Sequence, residues 1–169
     1  MTQTGFFFSQ YFAVPKKDGG IRPIMDLRQL NEYIFYKKFC VLTLDSILPL
    51  LSQGNWFTTI DLKDAYFHIS IQPSHQRFLL FRFQHTTYQF AALPFGLSTA
   101  PRTFTKCMAP VVAYLCTKGI KLFPYINDWL LVARTYQDAI TATASTLHVL
   151  HKLGLQINWG GNPAWYHNS

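Results

Sequence analysis

The sequence predicts an α+β fold, in which strands and helices mix without strict alternation along the chain. Apolar residues make up 49% of the 169 residues, which is enough for a sizeable core and too many for a disordered chain. Short apolar runs bounded by glycine, proline or polar residues indicate strands. Two long segments with apolar residues at helical spacing indicate amphipathic helices. The length suits one domain or a piece of a larger protein.

Turn and cap signals place the elements in the first half of the chain. The turn Pro15–Gly20 separates two short strands, and Pro23 makes the second an edge strand or an irregular one. Asp45 is expected to cap a short helix that ends at Gly54. In chain order, the predicted segments are strands at 11–14 and 21–25, a helix between 45 and 54, strands at 56–61, 78–83 and 88–92, a helix at 100–116, a hairpin at 122–133, a helix at 138–153 and a strand at 155–159.

The two long helices carry the clearest signals in the second half. Ser98 is expected to cap a helix from about Ala100 to Cys116, with Pro101 in its first turn. A second amphipathic helix is expected from Asp138 to Leu153. The tail, residues 160–169, has no periodicity, so we expect it to be unstructured.

The charge balance indicates a polyanionic partner. The chain has 15 Lys and Arg against 8 Asp and Glu, and its formal net charge of +7 suits nucleic acid. A basic surface that serves solubility is the alternative interpretation. With so few carboxylates, each one inside a strand-like run is a candidate for chemistry.

Cysteine usage and the absence of targeting signals bear on location. The 3 cysteines are an odd number without CxxC spacing, which favours buried thiols in a reducing compartment over a disulfide framework or a zinc site. No secretory signal is evident at the amino terminus, and no apolar run approaches the roughly 20 residues that a membrane span needs. We therefore expect an intracellular protein, cytoplasmic or nuclear, with no membrane partner.

The first candidate for chemistry is Asp61, which ends the apolar run Trp56–Ile60. A carboxylate at the end of a buried strand is costly unless it is paired or binds a metal. A helix N-cap explains the same residue equally well. Asp64 is, by type and position, more often a cap or a surface charge than a ligand.

The second candidate is Asp128, in the turn Tyr125–Asp128 between two apolar runs. Asn and Asp are ordinary turn formers, so such a turn taken alone is more often structural. The apolar flanks indicate a buried hairpin, however. Two carboxylates at the ends of neighbouring strands, here Asp61 and Asp128, can hold a divalent metal against a phosphate.

Two loops are candidates for contact with a phosphate or a base. Leu93–Pro101 leads from a strand into a helix through Gly96, where backbone can approach a ligand closely; a flexible loop is the simpler interpretation. Lys16–Arg22 carries basic residues on both arms of a hairpin and can grip a triphosphate, although a solvated turn explains it too. The 6 histidines show no metal-ligand spacing.

Taken together and in this order, these segments resemble a reverse transcriptase. Pro15–Asn31 resembles the fingers hairpin of that family, Ile60–Tyr66 its first palm motif, Leu93–Leu97 its second and Tyr125–Asp128 its third. The residues of these motifs are most similar to those of retrotransposon enzymes of the DIRS and gypsy types. The resemblance covers roughly 11–159, and four ordered motifs at suitable spacing form a specific signal.

The resemblance implies a right-hand polymerase with fingers and palm. The chain departs from the family in stopping just past the palm, so we expect the thumb to be absent from it. The chain is then a single partial reverse transcriptase domain over 1–169. The fingers are expected at about 10–36 and 69–99, and the palm at about 37–68 and 100–159. The thumb and ribonuclease H regions are expected in the missing parts of a longer polyprotein.

The resemblance also implies roles for individual residues. Asp61 and Asp128 would hold two Mg²⁺ ions, for which Mn²⁺ can substitute, and Asn127 stands in the catalytic turn where the family has another aspartate. Tyr66 would reject the 2′-hydroxyl of an incoming nucleotide by steric clash. The expected dNTP contacts are Lys16, Arg22, Asp64, Ala65, Tyr66 and Phe95, and the expected template or primer contacts are Gly96 and Tyr125. The implied partners are an RNA or DNA template with a DNA primer, and dNTPs.

Two departures from the family pattern bear on activity. Asn127 is neutral and offers one amide oxygen, so it binds Mg²⁺ less well than a carboxylate does. Loss of one directly acting electrostatic group lowers a rate by on the order of a hundredfold or more. No lysine follows Leu155–Asn158 as the family usually has, which removes general-acid help to the pyrophosphate. We expect RNA-directed DNA polymerase activity to be severely impaired or absent; the alternative is a non-catalytic, nucleic-acid-binding remnant of a mobile element.

Overall fold

The computed structural model describes residues 7–15, 19–35, 37–39, 41–159 and 165–167. In chain order, the elements are β1 (Phe8–Pro15), β2 (Ile21–Asp26), α1 (Arg28–Tyr33), α2 (Leu44–Ile47), β3 (Trp56–Asp61), α3 (Pro73–Gln76), β4 (Leu80–Phe83), β5 (Thr86–Gln89), α4 (Ala100–Thr117), β6 (Lys121–Tyr125), β7 (Asp128–Ala133), α5 (Tyr136–Lys152) and β8 (Trp165–His167), with 3₁₀ turns at Leu48–Leu50 and Ala65–His68. Among the described residues, no helix is both long enough and apolar enough to cross a bilayer.

The chain divides into two compact units. The first unit comprises residues 1–38 and 66–103, and the second comprises residues 39–65 and 104–169. The expected division into fingers and palm, with boundaries near 36, 68 and 99, stays a prediction.

The first unit is built on a four-stranded sheet in the order β2-β1-β4-β5. β1 pairs antiparallel with β2 and parallel with β4, and β4 pairs antiparallel with β5. Met25, Leu27, Leu30 and Leu79 form the buried cluster of this unit. Because Met25 lies in β2 and Leu30 lies in α1, the cluster packs these two elements together.

The second unit is built on an antiparallel sheet in the order β6-β7-β3-β8. Helix α5 packs against β7 and β3. Its buried positions, Ala139, Thr143, Thr146 and Leu150, recur at the spacing of one helical face. The two threonine hydroxyls are satisfied because each donates to the carbonyl four residues earlier, at 2.7 Å and 2.8 Å.

The predicted strand at 56–61 and the hairpin at 122–133 are confirmed. The helix expected from Ala100 begins at that residue, and the helix expected from Asp138 begins two residues earlier, at Tyr136. Thr135 caps α5, accepting from the backbone of Asp138 at 3.1 Å. The strand expected at 155–159 is reduced to a single bridge between Ile157 and Leu62.

Two predicted caps are wrong. Thr43, not Asp45, is the N-cap of α2, and its backbone N–H donates to the Ser46 hydroxyl at 3.0 Å. The Ser98 hydroxyl is buried and has no hydrogen-bond partner within the described part of the chain, so it does not cap α4. In the Ser98 loop, tertiary contacts outweigh the local preference of serine for helix starts.

The prediction of an unstructured tail is wrong for Trp165–His167, which form β8. These residues pair antiparallel with β3, on the edge that β7 leaves open. An open strand edge offers unpaired backbone groups to any segment that reaches it. A three-residue strand is too short to show the alternation by which strands are recognised in a sequence. The remaining residues of 160–169 lie outside the described residues.

Candidate active site

A two-residue turn joins β6 and β7, since Tyr125 pairs directly with Asp128. The turn residues are Ile126 and Asn127. Ile126 has a φ of 53°, a conformation that is costly for a β-branched side chain. The buried indole of Trp129 donates to the Ile126 carbonyl at 3.1 Å, which holds this strained residue in place.

Asp61 lies directly opposite Asp128 across the pairing of β3 with β7. Beyond the end of β3, the Leu62 amide donates to the Asn127 carbonyl at 2.8 Å, so the strand stays attached to the turn. Directly paired residues share one face of the sheet and lie close together. The structure therefore brings Asp61, Asn127 and Asp128 together, as the sequence predicted.

The pKa of Asp128 reports the electrostatic cost of this arrangement. Although part of the residue is exposed, loss of water around its carboxyl raises the pKa, and the charge of Asp61 raises it further. Both causes oppose a second negative charge beside Asp61. A bound cation relieves such a conflict.

Two amide side chains donate hydrogen bonds to the Asp61 carboxylate. Asn127 Nδ2 donates to Asp61 Oδ1 at 2.9 Å, and Asn158 Nδ2 donates to Asp61 Oδ2 at 2.8 Å. The orientation of an amide is assigned from its hydrogen bonds, and an acceptor as strong as a carboxylate selects the NH₂ end. Each carboxylate oxygen of Asp61 thus accepts a hydrogen bond from a neutral donor.

The residues present fit one divalent cation better than two. Asp61 and Asp128 supply hard oxygen ligands of the kind that Mg²⁺ and Mn²⁺ prefer. In the described part of the chain, no three His, Cys, Asp or Glu side chains gather into a metal-binding group. Two ions about 4 Å apart normally share several carboxylates. Because Asn127 is neutral, the site has one carboxylate fewer than the family pattern supplies for two ions.

Asp64, Ala65 and Tyr125 also lie in the second unit. Asp64 has a φ of 48°, and the following Ala65 is buried. Tyr125 is an exposed aromatic residue beside the turn, with 52% of its surface accessible. Its exposure leaves the ring available to a partner.

The predicted contacts Tyr66 and Phe95 meet in the first unit. Their ring centroids are 5.1 Å apart, and the Phe67 ring lies 5.3 Å from that of Phe95. Aromatic pairs at this spacing stabilise one another beyond their buried area. The structure therefore joins these predicted nucleotide contacts in one aromatic cluster.

Gly96 has a structural reason to be glycine. Its φ is +97°, and a Cβ built on it would lie 2.7 Å from the Met25 carbonyl oxygen. Asn31 Nδ2 donates to the Gly96 carbonyl at 2.9 Å, and the Ser98 amide donates to Asn31 Oδ1 at 2.8 Å. The loop is therefore fixed within the first unit.

The basic hairpin is described only in part. Lys16 lies outside the described residues. Arg22 lies in β2, where its backbone pairs with Val14. Further along, the exposed Arg28 donates to both carboxylate oxygens of Asp26, at 2.9 Å and 2.6 Å, and lowers the pKa of Asp26 to about 2.

Sequence reasoning missed two residues of these sites, Asn31 and Asn158. Both end segments that the motif comparison covered, namely Pro15–Asn31 and Leu155–Asn158. Asn31 lies inside α1, and Asn158 directly follows the bridge residue Ile157. Neither partner lies nearby in sequence, so no local signal indicated a role for either residue.

Comparison with known proteins identifies the family. A family model described as "Reverse transcriptase (RNA-dependent DNA polymerase)" matches residues 14–160. The Transposon Tf2-3 and Tf2-7 polyproteins of Schizosaccharomyces pombe are 26% and 25% identical to this chain over 145 residues. The match covers 86% of this chain but 11% of each polyprotein, so the chain spans a small part of these relatives.

Solved structures agree on the fold. The foamy viral protease-reverse transcriptase in complex with double-stranded DNA has a TM-score of 0.78 at 22% identity, covering 94% of this chain and 27% of that chain. The same viral protein with an RNA/DNA hybrid has a TM-score of 0.76 at 20% identity, covering 95% and 21%. These likenesses show that this chain has the fold of the fingers and palm region of a right-hand polymerase. With the family model matched from 14 to 160, the chain belongs to the reverse transcriptase (RNA-dependent DNA polymerase) family.

Proposed function

We propose that this chain is the fingers-and-palm part of a retrotransposon RNA-directed DNA polymerase whose nucleotidyl transfer is severely impaired. One observation carries the impairment: the Asn127 amide donates to Asp61 at 2.9 Å, where the active turn of the family has a carboxylate. The subtype, DIRS or gypsy, and an intracellular location in cytoplasm or nucleus stay predictions.

Nucleic acid is the proposed polymeric partner. The formal net charge of +7 supports binding of a template and primer. Foamy viral relatives of the same fold are known with double-stranded DNA and with an RNA/DNA hybrid. Gly96 and Tyr125 are the proposed template or primer contacts, and the exposure of Tyr125 supports stacking on a base. The thumb and ribonuclease H regions are proposed for the rest of a longer polyprotein.

The proposed dNTP contacts are those of the motif resemblance. They are Lys16, Arg22, Asp64, Ala65, Tyr66 and Phe95. The Tyr66–Phe95 contact supports a shared role, because a tyrosine packed against a second ring is held in one orientation. A fixed ring can exclude a 2′-hydroxyl by its bulk.

Asp61 and Asp128 are the proposed metal ligands. Divalent cations held there, Mg²⁺ or Mn²⁺, would activate the primer 3′-hydroxyl as a nucleophile and neutralise charge on the leaving pyrophosphate. Asn127 weakens this site in two ways: it adds no negative charge, and its NH₂ group satisfies Asp61 Oδ1 without a cation. The number of ions, two in the family pattern, stays a prediction for this chain.

A non-catalytic nucleic-acid-binding protein is the second candidate function. The hydrogen bond from Asn127 to Asp61 favours it, because this bond satisfies one carboxylate oxygen without metal. Its affinity for primer–template should then fall steeply with salt while no primer is extended.

Primer extension by the full chain separates the two functions. The unaltered chain and Asn127→Asp are assayed on an RNA template with a DNA primer, first with Mg²⁺ and then with Mn²⁺. We expect little extension by the unaltered chain and a rate higher by about a hundredfold or more in the variant. Asn55→Asp is the matched control, because it adds the same charge in the second unit and keeps the oxygen that accepts from Ser52.

The outcomes are distinct. Robust extension by the unaltered chain would refute the impairment. Extension by neither protein, with primer–template binding retained, would favour the non-catalytic function. Equal gains from the substitutions at 55 and 127 would show that added charge, and not its location, matters.

A further inference from the structure

We infer that Asn158 is a positioning residue that orients the Asp61 carboxylate toward the β6–β7 turn. This role rests on the proposed function of Asp61 and Asp128 as metal ligands. Asn158 contacts the proposed ligand Asp61 through its side chain.

The register places Asn158 beside Asp61. The bridge between Leu62 and Ile157 is antiparallel, so Asn158 lies opposite Asp61 on one side of β3. Asp128 lies opposite Asp61 on the other side. Asp61 is therefore the middle residue of a row of three polar side chains on one face of the sheet.

Asn158 contacts Asp61 at two points. Its backbone N–H donates to the Asp61 carbonyl at 2.9 Å, and its side chain donates to Asp61 Oδ2 at 2.8 Å. Because Oδ2 is held toward Asn158, the other oxygen is directed to the turn, where Asn127 Nδ2 lies 2.9 Å from Oδ1. Oδ1 is therefore the Asp61 oxygen that lies on the side of the turn.

The chemistry of the amide suits this role. A neutral donor fixes a carboxylate without cancelling the charge that attracts a metal, whereas a lysine in the same place would cancel it. Hydrogen bonds from outside the ligand set orient metal ligands, and their loss typically costs about 10- to 100-fold in metal affinity. We therefore assign Asn158 to the orientation of Asp61.

Backbone hydrogen bonds fasten this segment without the Asn158 side chain. The Lys63 amide donates to the Gln156 carbonyl at 2.8 Å, and the Leu155 amide donates to the Leu150 carbonyl at 3.0 Å. Together with the backbone bond of Asn158 itself, these contacts attach the segment to β3 and to the end of α5. The attachment of the segment therefore does not depend on the side-chain hydrogen bond from Asn158 to Asp61 alone.

Metal affinity tests the role in an Asn127→Asp background, which supplies the missing carboxylate. Mn²⁺ is titrated into the full chain, and free Mn²⁺ is measured by electron paramagnetic resonance. Adding Asn158→Ala should weaken Mn²⁺ binding by about 10- to 100-fold. The matched control is Asn31→Ala, which removes two comparable hydrogen bonds in the first unit and should lower Tm without changing Mn²⁺ affinity. Unchanged affinity in the Asn158 variant would overturn the inference.

Thermal unfolding of a double-mutant cycle tests the contact without metal. Asp61→Ala, Asn158→Ala and the double variant are compared with the unaltered chain in a chelator. We expect the double variant to lose less in Tm than the sum of the single losses, because both substitutions remove the same hydrogen bond. Additive losses would overturn the inference.

The two tests separate this inference from the proposed function. If Asn127→Asp binds no Mn²⁺ while the cycle is non-additive, the metal-ligand proposal fails and the positioning contact stands. If Asn127→Asp binds Mn²⁺ and Asn158→Ala has no effect on affinity, the metal-ligand proposal stands and the positioning role fails.

Discussion

Two asparagines, one in each unit, close loops that follow strands, and they do so with different kinds of partner. Asn31 donates to the Gly96 carbonyl and accepts from the Ser98 amide, so both ends of its amide serve backbone groups. Asn127 donates to the carboxylate of Asp61. The same type of side chain therefore stabilises a loop in the first unit and binds a proposed metal ligand in the second. An amide whose partners are backbone groups stabilises its loop, whereas the amide of Asn127 would compete with a cation for the Asp61 oxygen that it contacts.

The two loops also differ in how they accommodate positive φ. The first unit uses Gly96, at +97°, and the second uses Ile126, at 53°. Gly96 avoids both backbone strain and a clash with the Met25 carbonyl. Ile126 is strained and is held by the indole of Trp129. The loop beside the carboxylates is thus the more strained of the two.

The largest expected effect is a change in stability that depends on metal after substitution of Asn127 and does not depend on metal after substitution of Asn31. Asn127→Asp removes a hydrogen bond and adds a third negative charge, so in a chelator it should lower the free energy of unfolding by about 1–3 kcal/mol. Mn²⁺ should restore it, because the cation binds the folded state. Asn31→Asp should also destabilise the chain, but Mn²⁺ should not restore it. Chemical denaturation with and without Mn²⁺ measures this, and rescue of both variants would remove the distinction.

Gly96→Ala should destabilise the first unit by about 1–3 kcal/mol through backbone strain and contact with Met25. Gly54→Ala is the matched control: its φ is +81°, yet no atom lies within 4 Å of the added Cβ. The difference in Tm between the two variants isolates the contact. Equal losses would show that Met25 moves away at little cost.

A smaller effect concerns the aromatic cluster of the first unit. In the Asn127→Asp background, Tyr66→Ala should reduce the preference for dNTPs over ribonucleotides by about tenfold or more, because the proposed clash with the 2′-hydroxyl is removed. Phe67→Ala, which removes another ring packed on Phe95, should leave the preference unchanged. Competitive incorporation measures it; unchanged selectivity in the Tyr66 variant would show that another residue excludes ribonucleotides.

The smallest effect is an opposite response to pH in the two units. Burial and Asp61 raise the pKa of Asp128 above 3.8, so its contribution to stability is full below pH 3.8 and is lost as pH rises through the folded-state pKa. Arg28 lowers the pKa of Asp26 from 3.8 to about 2, so its contribution is present above pH 3.8 and is lost as pH falls through about 2.

Denaturation in a chelator between pH 2 and pH 7, comparing Asp128→Asn and Asp26→Asn with the unaltered chain, measures these responses. The advantage of the unaltered chain over Asp128→Asn should shrink as pH rises, and its advantage over Asp26→Asn should shrink as pH falls. The same trend in both variants would contradict the assignment of the two shifts.

The sequence by itself determined the α+β class, the hairpin at 122–133, the two long helices and the meeting of Asp61 with Asp128. These features depend on local turn chemistry, helical periodicity and an ordered set of motifs, all of which can be recognised from neighbouring residues. Cap identities were less predictable, because Ser98 has a helix-start preference that the packing of its loop overrides.

Only the tertiary structure decided the hydrogen-bond partners of Asn158 and Asn31 and the formation of β8 in the tail. Asn158 meets Asp61 across 97 positions, and Asn31 meets Gly96 across 65. Neither pairing leaves a local pattern, because strand register and loop closure depend on the whole unit. The pairing of β8 with β3 was unpredictable for the same reason. It depends on an open edge of the sheet, which leaves no pattern in a three-residue segment.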